Sequence, residues 1–360
     1  MSDAPVLVHP RLDQKPWAGD RLAGLGFDRS PGPEPFGEAL LTHGDAAAEL
    51  ESGERLPLSR LAAAQPGQFV GARGIDRTGT AGLFPYLVKF IDAAADLSIQ
   101  LHPDDFIARE QGEITGKTEA WHVLHAEPGA RLYLGLAEGV DAGAFLAAAE
   151  AGDPAAAGML RSIPAEPGLT VVIPAGCVHA LGSGVLIYEI QQPSNTTYRL
   201  YDWGRLDPAG RPRELHHALG RRALRPGYRP RPIAPVPTPS MDGHRDLLAA
   251  TSGFALERIV LGPGQLIELP ADPSPASLTC IGGVLKVRAG GALLVLQRGE
   301  TAIVPAGAAF SLQATLPVVA LRGWVPDLRQ DVIRPARDAG ASDASIAALA
   351  GDLDDIRELL

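Results

Sequence analysis

Short apolar runs separated by Gly- and Pro-marked turns recur along the chain and predict a mainly β protein with Ala-rich helices between strands. Leu83–Ala95 (LFPYLVKFIDAAA) is the densest early run, and Asp96–His102 (DLSIQLH) alternates as a strand does, which puts Gln100 and His102 on one face. Lys117, Glu119 and Trp121 share a face of a strand over Lys117–His125, with His122 pointing outward and His125 at the strand's end. Further strands are expected at Arg131–Leu136, Leu169–Ile173, Cys177–Leu181 and Val185–Gln191, the last with Glu189 and Gln191 on one face, and Thr196–Trp203 carries Arg199. Leu56–Leu61 reads as a short helix and Pro66–Val70 as a loop. Asp141–Arg161 reads as one helix, or two around Gly152-Asp153-Pro154. After the Pro- and Arg-rich Leu206–Pro239, Phe254–Val325 returns to short strands with Gly turns. In the tail, Ser342 or Asp343 would cap an acidic surface helix running to the terminus.

One stretch occurs twice. TVVIPAGCVHAL (Thr170–Leu181) aligns with TAIVPAGAAFSL (Thr301–Leu312) so that His179 matches Phe310, suggesting two copies of one β-module with polar chemistry kept only in the first. The expected organisation is a first module over 1–140 and 162–205 with a helical insertion at 141–161. A connector at 206–240, a second module at 241–330 and a helical tail at 331–360 complete it.

Composition narrows the function classes. The net charge of −10 comes with no basic run, which argues against nucleic acid or anionic membrane as partner. No apolar stretch approaches the roughly 20 residues needed to span a bilayer. The N-terminus lacks the pattern of a signal peptide, and two cysteines, Cys177 and Cys280, are too few for a disulfide framework, so a cytoplasmic protein is expected.

The polar residues that interrupt the apolar pattern cluster between Leu97 and Arg205. Gln100, His102, Glu119 and His179 form a set able to close around one divalent metal. Imidazole and carboxylate suit zinc, and an amide oxygen points to an open, substrate-binding site rather than a structural one. Lys117 faces the same interior as Glu119 and needs an anionic partner, either Glu189 or a substrate. Arg199 at the rim suits developing negative charge or a phosphate, or a structural pair with Asp202 or Glu189.

The motifs SIQLHPDD, GKTEAWHVL, IPAGCVHAL and EIQQPSNTTYRLYDWGR resemble those of the type I mannose-6-phosphate isomerases, zinc-dependent cupin enzymes, in their short bacterial form. The resemblance runs from about Pro16-Trp17 to Trp324. It implies a cupin-type jelly-roll, one zinc per chain at Gln100, His102, Glu119 and His179, and Arg199 as catalytic arginine with Lys117 and Glu189 in the active site. The implied reaction interconverts mannose 6-phosphate and fructose 6-phosphate through an enediol. Lys117 and Glu189 are both candidates for the proton transfer, and Ser98 and Lys117 join Arg199 as candidates for binding the hexose 6-phosphate. Two departures from the family pattern, Ala18-Gly19 for Gly-Gly and His122 for an aromatic residue, leave the proposed ligands untouched. The competing readings are a metal-dependent oxygenase cupin, which the Gln-His-Glu-His set disfavours, and a non-catalytic sugar-phosphate binder.

Overall fold

The structure, a computed structural model, describes residues 3–27, 35–206 and 210–360. β-Branched and aromatic runs form antiparallel strands, as their alternation demands, and these assemble into four sheets that make two β-modules. The first module has a six-stranded sheet ordered Thr170–Ile173, Glu119–Ala126, Val185–Gln191, Leu87–Ala93, Phe36–Leu40, Arg11–Gln14. It also has a five-stranded sheet ordered Leu160–Pro164, Arg131–Leu136, His179–Leu181, Ile99–Leu101, Tyr198–Tyr201. Trp121, Val123, Leu132, Leu134 and Ile187 pack between them. The second module pairs a nine-stranded with a four-stranded sheet around Leu278, Leu285, Leu312 and Ala320.

The repeated stretch takes the same form in both modules. Thr170–Ile173 and His179–Leu181 flank one Pro-Ala-Gly turn, and Thr301–Val304 and Phe310–Ala314 flank the other. Gly176 and Gly307 adopt φ of 86° and 80°, a left-handed conformation that glycine takes without steric cost. At Gly176 a Cβ would also lie 2.5 Å from Arg225 Cγ. His179 and Phe310 thus open equivalent strands, one carrying a polar group and the other an apolar one.

Four sequence expectations are corrected. Val6–His9, Ala47–Glu49 and Arg55–Pro57, assigned by position to the first module, extend the second module's sheet, where Val6–Val8 pair with Thr301–Ile303. Val6–His9 covers the edge of Thr301–Val304 opposite Ala276–Gly282, and the other two strands continue the sheet outward. Pro66–Val70 is helical and runs into a helix over Gly71–Thr78, whose polar sequence GARGIDRT hid it. His122 faces away from Glu119 but is buried, its Nδ1 2.9 Å from Thr170 Oγ1, because a second layer covers that face. In the tail, Ser342 does cap a helix, but it stops at Ala348, and Ile346, Leu349, Ala350 and Ile356 are fully buried in the core. The insertion forms two helices, Ala142–Glu150 and Ala155–Gly158, which bury Phe145 and Leu146 against Ile99, Leu101 and Leu200.

Candidate metal centre and active site

The register of the two sheets of the first module brings the polar residues together. In the five-stranded sheet Gln100 lies directly between His179 and Arg199, and directly opposed residues point to the same side. In the six-stranded sheet Glu189 lies between Trp121 and Lys89. Lys117 precedes the Glu119–Ala126 strand, and its backbone N–H donates to Pro103 O at 3.0 Å. Gly116 makes that approach possible, since a Cβ there would lie 2.5 Å from the Asp104 carbonyl carbon.

His102, Glu119 and His179 are buried, and each offers a ligand atom within 4.8 Å of the other two. His102 Nδ1 lies 2.8 Å from Thr196 O, and His179 Nδ1 lies 2.9 Å from Cys177 O. A carbonyl only accepts, so both Nδ1 atoms carry the proton and both Nε2 lone pairs face Glu119. His102 Nε2 is 3.4 Å from Glu119 Oε2, and His179 Nε2 is 3.2 Å from Glu119 Oε1. Among the described residues, neither Glu119 oxygen nor His179 Nε2 makes a hydrogen bond of acceptable geometry, although Lys117 Nζ is 2.8 Å from Glu119 Oε2. Buried polar atoms left so are costly, and a cation at their common centre removes the cost. The donor set therefore fits a divalent metal. Gln100 Oε1 accepts from Ser98 Oγ at 3.1 Å, and both side chains line the adjoining cavity.

Electrostatics agree with this arrangement. Burial opposes the charge on Glu119, but the Lys117 ammonium, foremost among its neighbours, outweighs it and holds the carboxyl well below the usual range. Burial and the Lys117 charge push His102 down to about 3, and burial lowers His179, so both rings are neutral and able to ligate. Burial and the Glu119 charge push Glu189 up, against Lys89 and Lys117. Glu189 accepts from Trp121 Nε1 at 2.9 Å and lies 3.2 Å from Lys89 Nζ and 3.6 Å from Lys117 Nζ.

The cavity, about 410 Å³, takes its walls from both sheets, with Lys15 and Arg199 among its lining residues. Ser98, Gln100, Lys117, Glu189 and Arg199 line the cavity, and His102, Glu119 and His179 lie buried behind Gln100 and Lys117, His179 paired with Gln100 and Lys117 Nζ 3.2 Å from His102 and 2.8 Å from Glu119. Arg199 pairs with neither Asp202 nor Glu189; its Nη1 donates to Glu214 O at 2.9 Å. Asp202 is instead held by Arg205 and Arg213. The reading of the sequence missed Lys89, Glu38 and Arg213. Lys89 is 7% exposed, in a strand otherwise of buried residues, and also lies 3.5 Å from Glu38 Oε1. A lysine inside LVKFIDA was the available signal, because a buried ammonium demands buried partners.

A β-module of this kind, with two histidines and a glutamate that could hold a metal ion next to a cationic cavity, has the fold of a cupin. No family model matches the chain. It is 35% identical over 218 residues to the mannose-6-phosphate isomerase of Streptococcus mutans, covering 59% of this chain and 65% of that protein. It is 34% identical over 232 residues to YvyI of Bacillus subtilis, which carries the same family name, covering 61% of this chain and 67% of that protein. The crystal structure of the mannose 6-phosphate isomerase from Bacillus subtilis superposes with a TM-score of 0.76 at 26% identity, covering 89% of this chain and 99% of that one. A variant of phosphomannose isomerase from Salmonella typhimurium shares the fold, with a TM-score of 0.69 at 17% identity over 89% of this chain and 99% of that one. The chain belongs to the mannose-6-phosphate isomerase family. Its alignment spans just under two thirds of the length of the Streptococcus relative.

Proposed function

We propose that the protein is a cytoplasmic isomerase interconverting mannose 6-phosphate and fructose 6-phosphate, with one zinc ion held by Gln100, His102, Glu119 and His179. The observation that carries the reading is the group of buried ligand atoms, of which both Glu119 oxygens and His179 Nε2 lack hydrogen bonds among the described residues, beside a cavity lined by arginines and lysines. When bound, the ion supplies Lewis-acid polarisation of the sugar's oxygens.

The chain's own residues account for the rest. Ring opening exposes an aldehyde at C1, and isomerisation removes the C2 proton and delivers one to C1. Glu189 and Lys117, 3.6 Å apart beside Glu119, form an acid/base pair at the cavity floor that exchanges this proton. Trp121 Nε1 orients one oxygen of Glu189 by donating to it. Arg199 places a guanidinium at the rim, where it stabilises the enediolate, and Ser98 hydroxyl orients the Gln100 amide.

The test is a coupled assay for fructose 6-phosphate formed from mannose 6-phosphate, run before and after chelation and with zinc restored, alongside metal analysis of the purified protein. Chelator-sensitive turnover recovered by zinc, with one zinc per chain, is expected. A folded, metal-loaded protein without turnover overturns the reading in favour of a sugar-phosphate binder.

A further inference from the structure

Three consecutive backbone N–H groups lead into the strand that carries Glu119, and each is held from a different part of the chain. Gly116 N–H donates to Asp105 Oδ1 at 2.8 Å, Lys117 N–H to Pro103 O at 3.0 Å, and Thr118 N–H to Gln192 Oε1 at 2.8 Å. The strand itself starts only at Glu119, and its partner strand ends at Gln191. Gln192, one residue beyond, does by side chain what the ladder no longer does. Its backbone N–H donates to Thr118 O at 3.0 Å, its Oε1 takes the Thr118 N–H, and its Nε2 donates to Asp105 Oδ1 at 2.9 Å. Asp105 Oδ1 therefore accepts from both Gln192 and Gly116. Thr118 Oγ1 accepts from Ala175 N–H at 3.2 Å in the Pro-Ala-Gly turn, and Gly176 N–H of that turn donates to His102 O at 2.8 Å. Gln192 is buried, so a lost partner leaves a polar group stranded away from water.

We propose that Gln192, supported by Asp105, is a positioning residue for the isomerisation: it fixes the backbone that carries Lys117, and through it the proton-exchanging pair of Lys117 and Glu189. This rests on the isomerase reading of the site. Gln192, Asp105 and Thr118 are absent from the walls of the substrate cavity and line a separate cavity of about 360 Å³. Successive side chains of an extended segment point to opposite sides, so Lys117 lines one cavity and Thr118 the other. Gln192 thus acts on the reaction through Lys117 alone. Lys117 needs that support. Its Nζ lies 2.8 Å from Glu119, 3.2 Å from His102 Nε2 and 3.6 Å from Glu189, at the end of a flexible stem whose only fixed point is the backbone. A displacement of about 1 Å at a reacting group can cost about a hundredfold in rate. Arg77 Nη2 is 3.7 Å from Asp105 Oδ2, too far for a hydrogen bond, so Asp105 serves here as an acceptor more than as a charge.

The experiment compares Gln192→Met, which keeps the volume and removes both side-chain bonds, with the parent as full-length chains. Amide hydrogen exchange at Lys117 and Thr118 reads the clasp directly and is expected to quicken about tenfold or more. For mannose 6-phosphate, kcat is expected to fall about ten- to a hundredfold, with KM within about threefold and zinc per chain unchanged. Asp105, whose side chain is 32% exposed, gives a second variant that leaves the core intact. Asp105→Ala should lower kcat likewise, and Asp105→Asn, whose amide oxygen accepts the same two bonds, should restore it to within about threefold of the parent. Unchanged exchange in Gln192→Met overturns the assignment, as does faster exchange with kcat intact. Zinc lost in step with kcat overturns it too, since the effect then runs through the metal ligands, and so does Asp105→Asn falling as far as Asp105→Ala. Faster exchange in Gln192→Met from a folded, metal-loaded parent that does not turn over upholds the clasp on Lys117 and rejects the isomerase reading.

Discussion

Lys89→Met separates charge from packing in the buried network beneath the cavity. Lys89 Nζ lies 3.2 Å from Glu189 and 3.5 Å from Glu38, whose side chains are 2% and 13% exposed. Removing one member of a buried pair costs about 3–5 kcal/mol, because the remaining charge is stranded. The lower end applies here: Lys15 stays 2.8 Å from Glu38, and Lys117 stays 3.6 Å from Glu189. A loss of about 3 kcal/mol is about a hundredfold in the folding constant and about 4 °C in the thermal midpoint. The pH dependence carries the diagnosis. Burial and Glu119 already raise the Glu189 carboxyl above its unfolded value, and loss of Lys89 raises it further. A carboxyl whose folded pKa exceeds its unfolded one penalises folding above the folded pKa, and the penalty disappears as pH falls to the unfolded pKa. The gap between variant and parent, read by denaturant titration, should therefore be larger at pH 8 than at pH 5. An equal gap at both pH values, or no gap, refutes the stranded-charge argument and leaves methylene packing as the role of Lys89.

Glu189→Gln keeps the Trp121 hydrogen bond and removes the exchangeable carboxyl, so kcat should fall about 10²- to 10⁴-fold with KM little changed; a KM effect alone contradicts the acid/base role. Gly116→Ala forces the Asp104 backbone away and should shift Lys117 from Glu119, lowering kcat and costing about 1–3 kcal/mol by thermal unfolding, while unchanged turnover would show that the loop adapts freely. His122 is held near 4 by burial and the Arg258 charge. Its folded pKa lies below the unfolded one, so the unfolded chain takes up the proton first. About 3 kcal/mol should be lost as pH falls from about 6.5 to 4, and His122→Gln should flatten that segment of the stability curve.

The residues that chemistry exposes were readable in the sequence. Gln100 and His102 stand two apart, and His179 follows a Pro-Ala-Gly turn. Period-two alternation sets which residues share a face, and strand pairing then set them side by side. What stayed hidden depended on a second layer. His122 alternates away from Glu119, and the sequence cannot say whether that face meets water or another part of the chain; here its neighbours Ala120, Val172 and Tyr188 pack with Leu247, Leu248 and Ala250 of the second module, and His122 is buried. The tail looked like a surface helix because Ala and Asp dominate it, yet Ile346, Leu349 and Ala350 give it an apolar face that the core covers. Arg213 could not be placed at the cavity because the Asp202 carboxylate that holds it lies 11 residues back in the chain.

The Val6–His9 strand is made well before its hydrogen-bond partner Thr301–Val304. At about 5–20 residues per second, roughly 300 residues take about 15–60 s to leave the ribosome. For that interval the strand's alternate pairing to Ala47–Glu49 is all that occupies it, and its other edge stays open. Closure of the nine-stranded sheet therefore waits until Thr301–Val304 and Val318–Trp324 have been made, and nascent chains stalled before residue 301 should be the species that chaperones hold or that aggregate edge to edge.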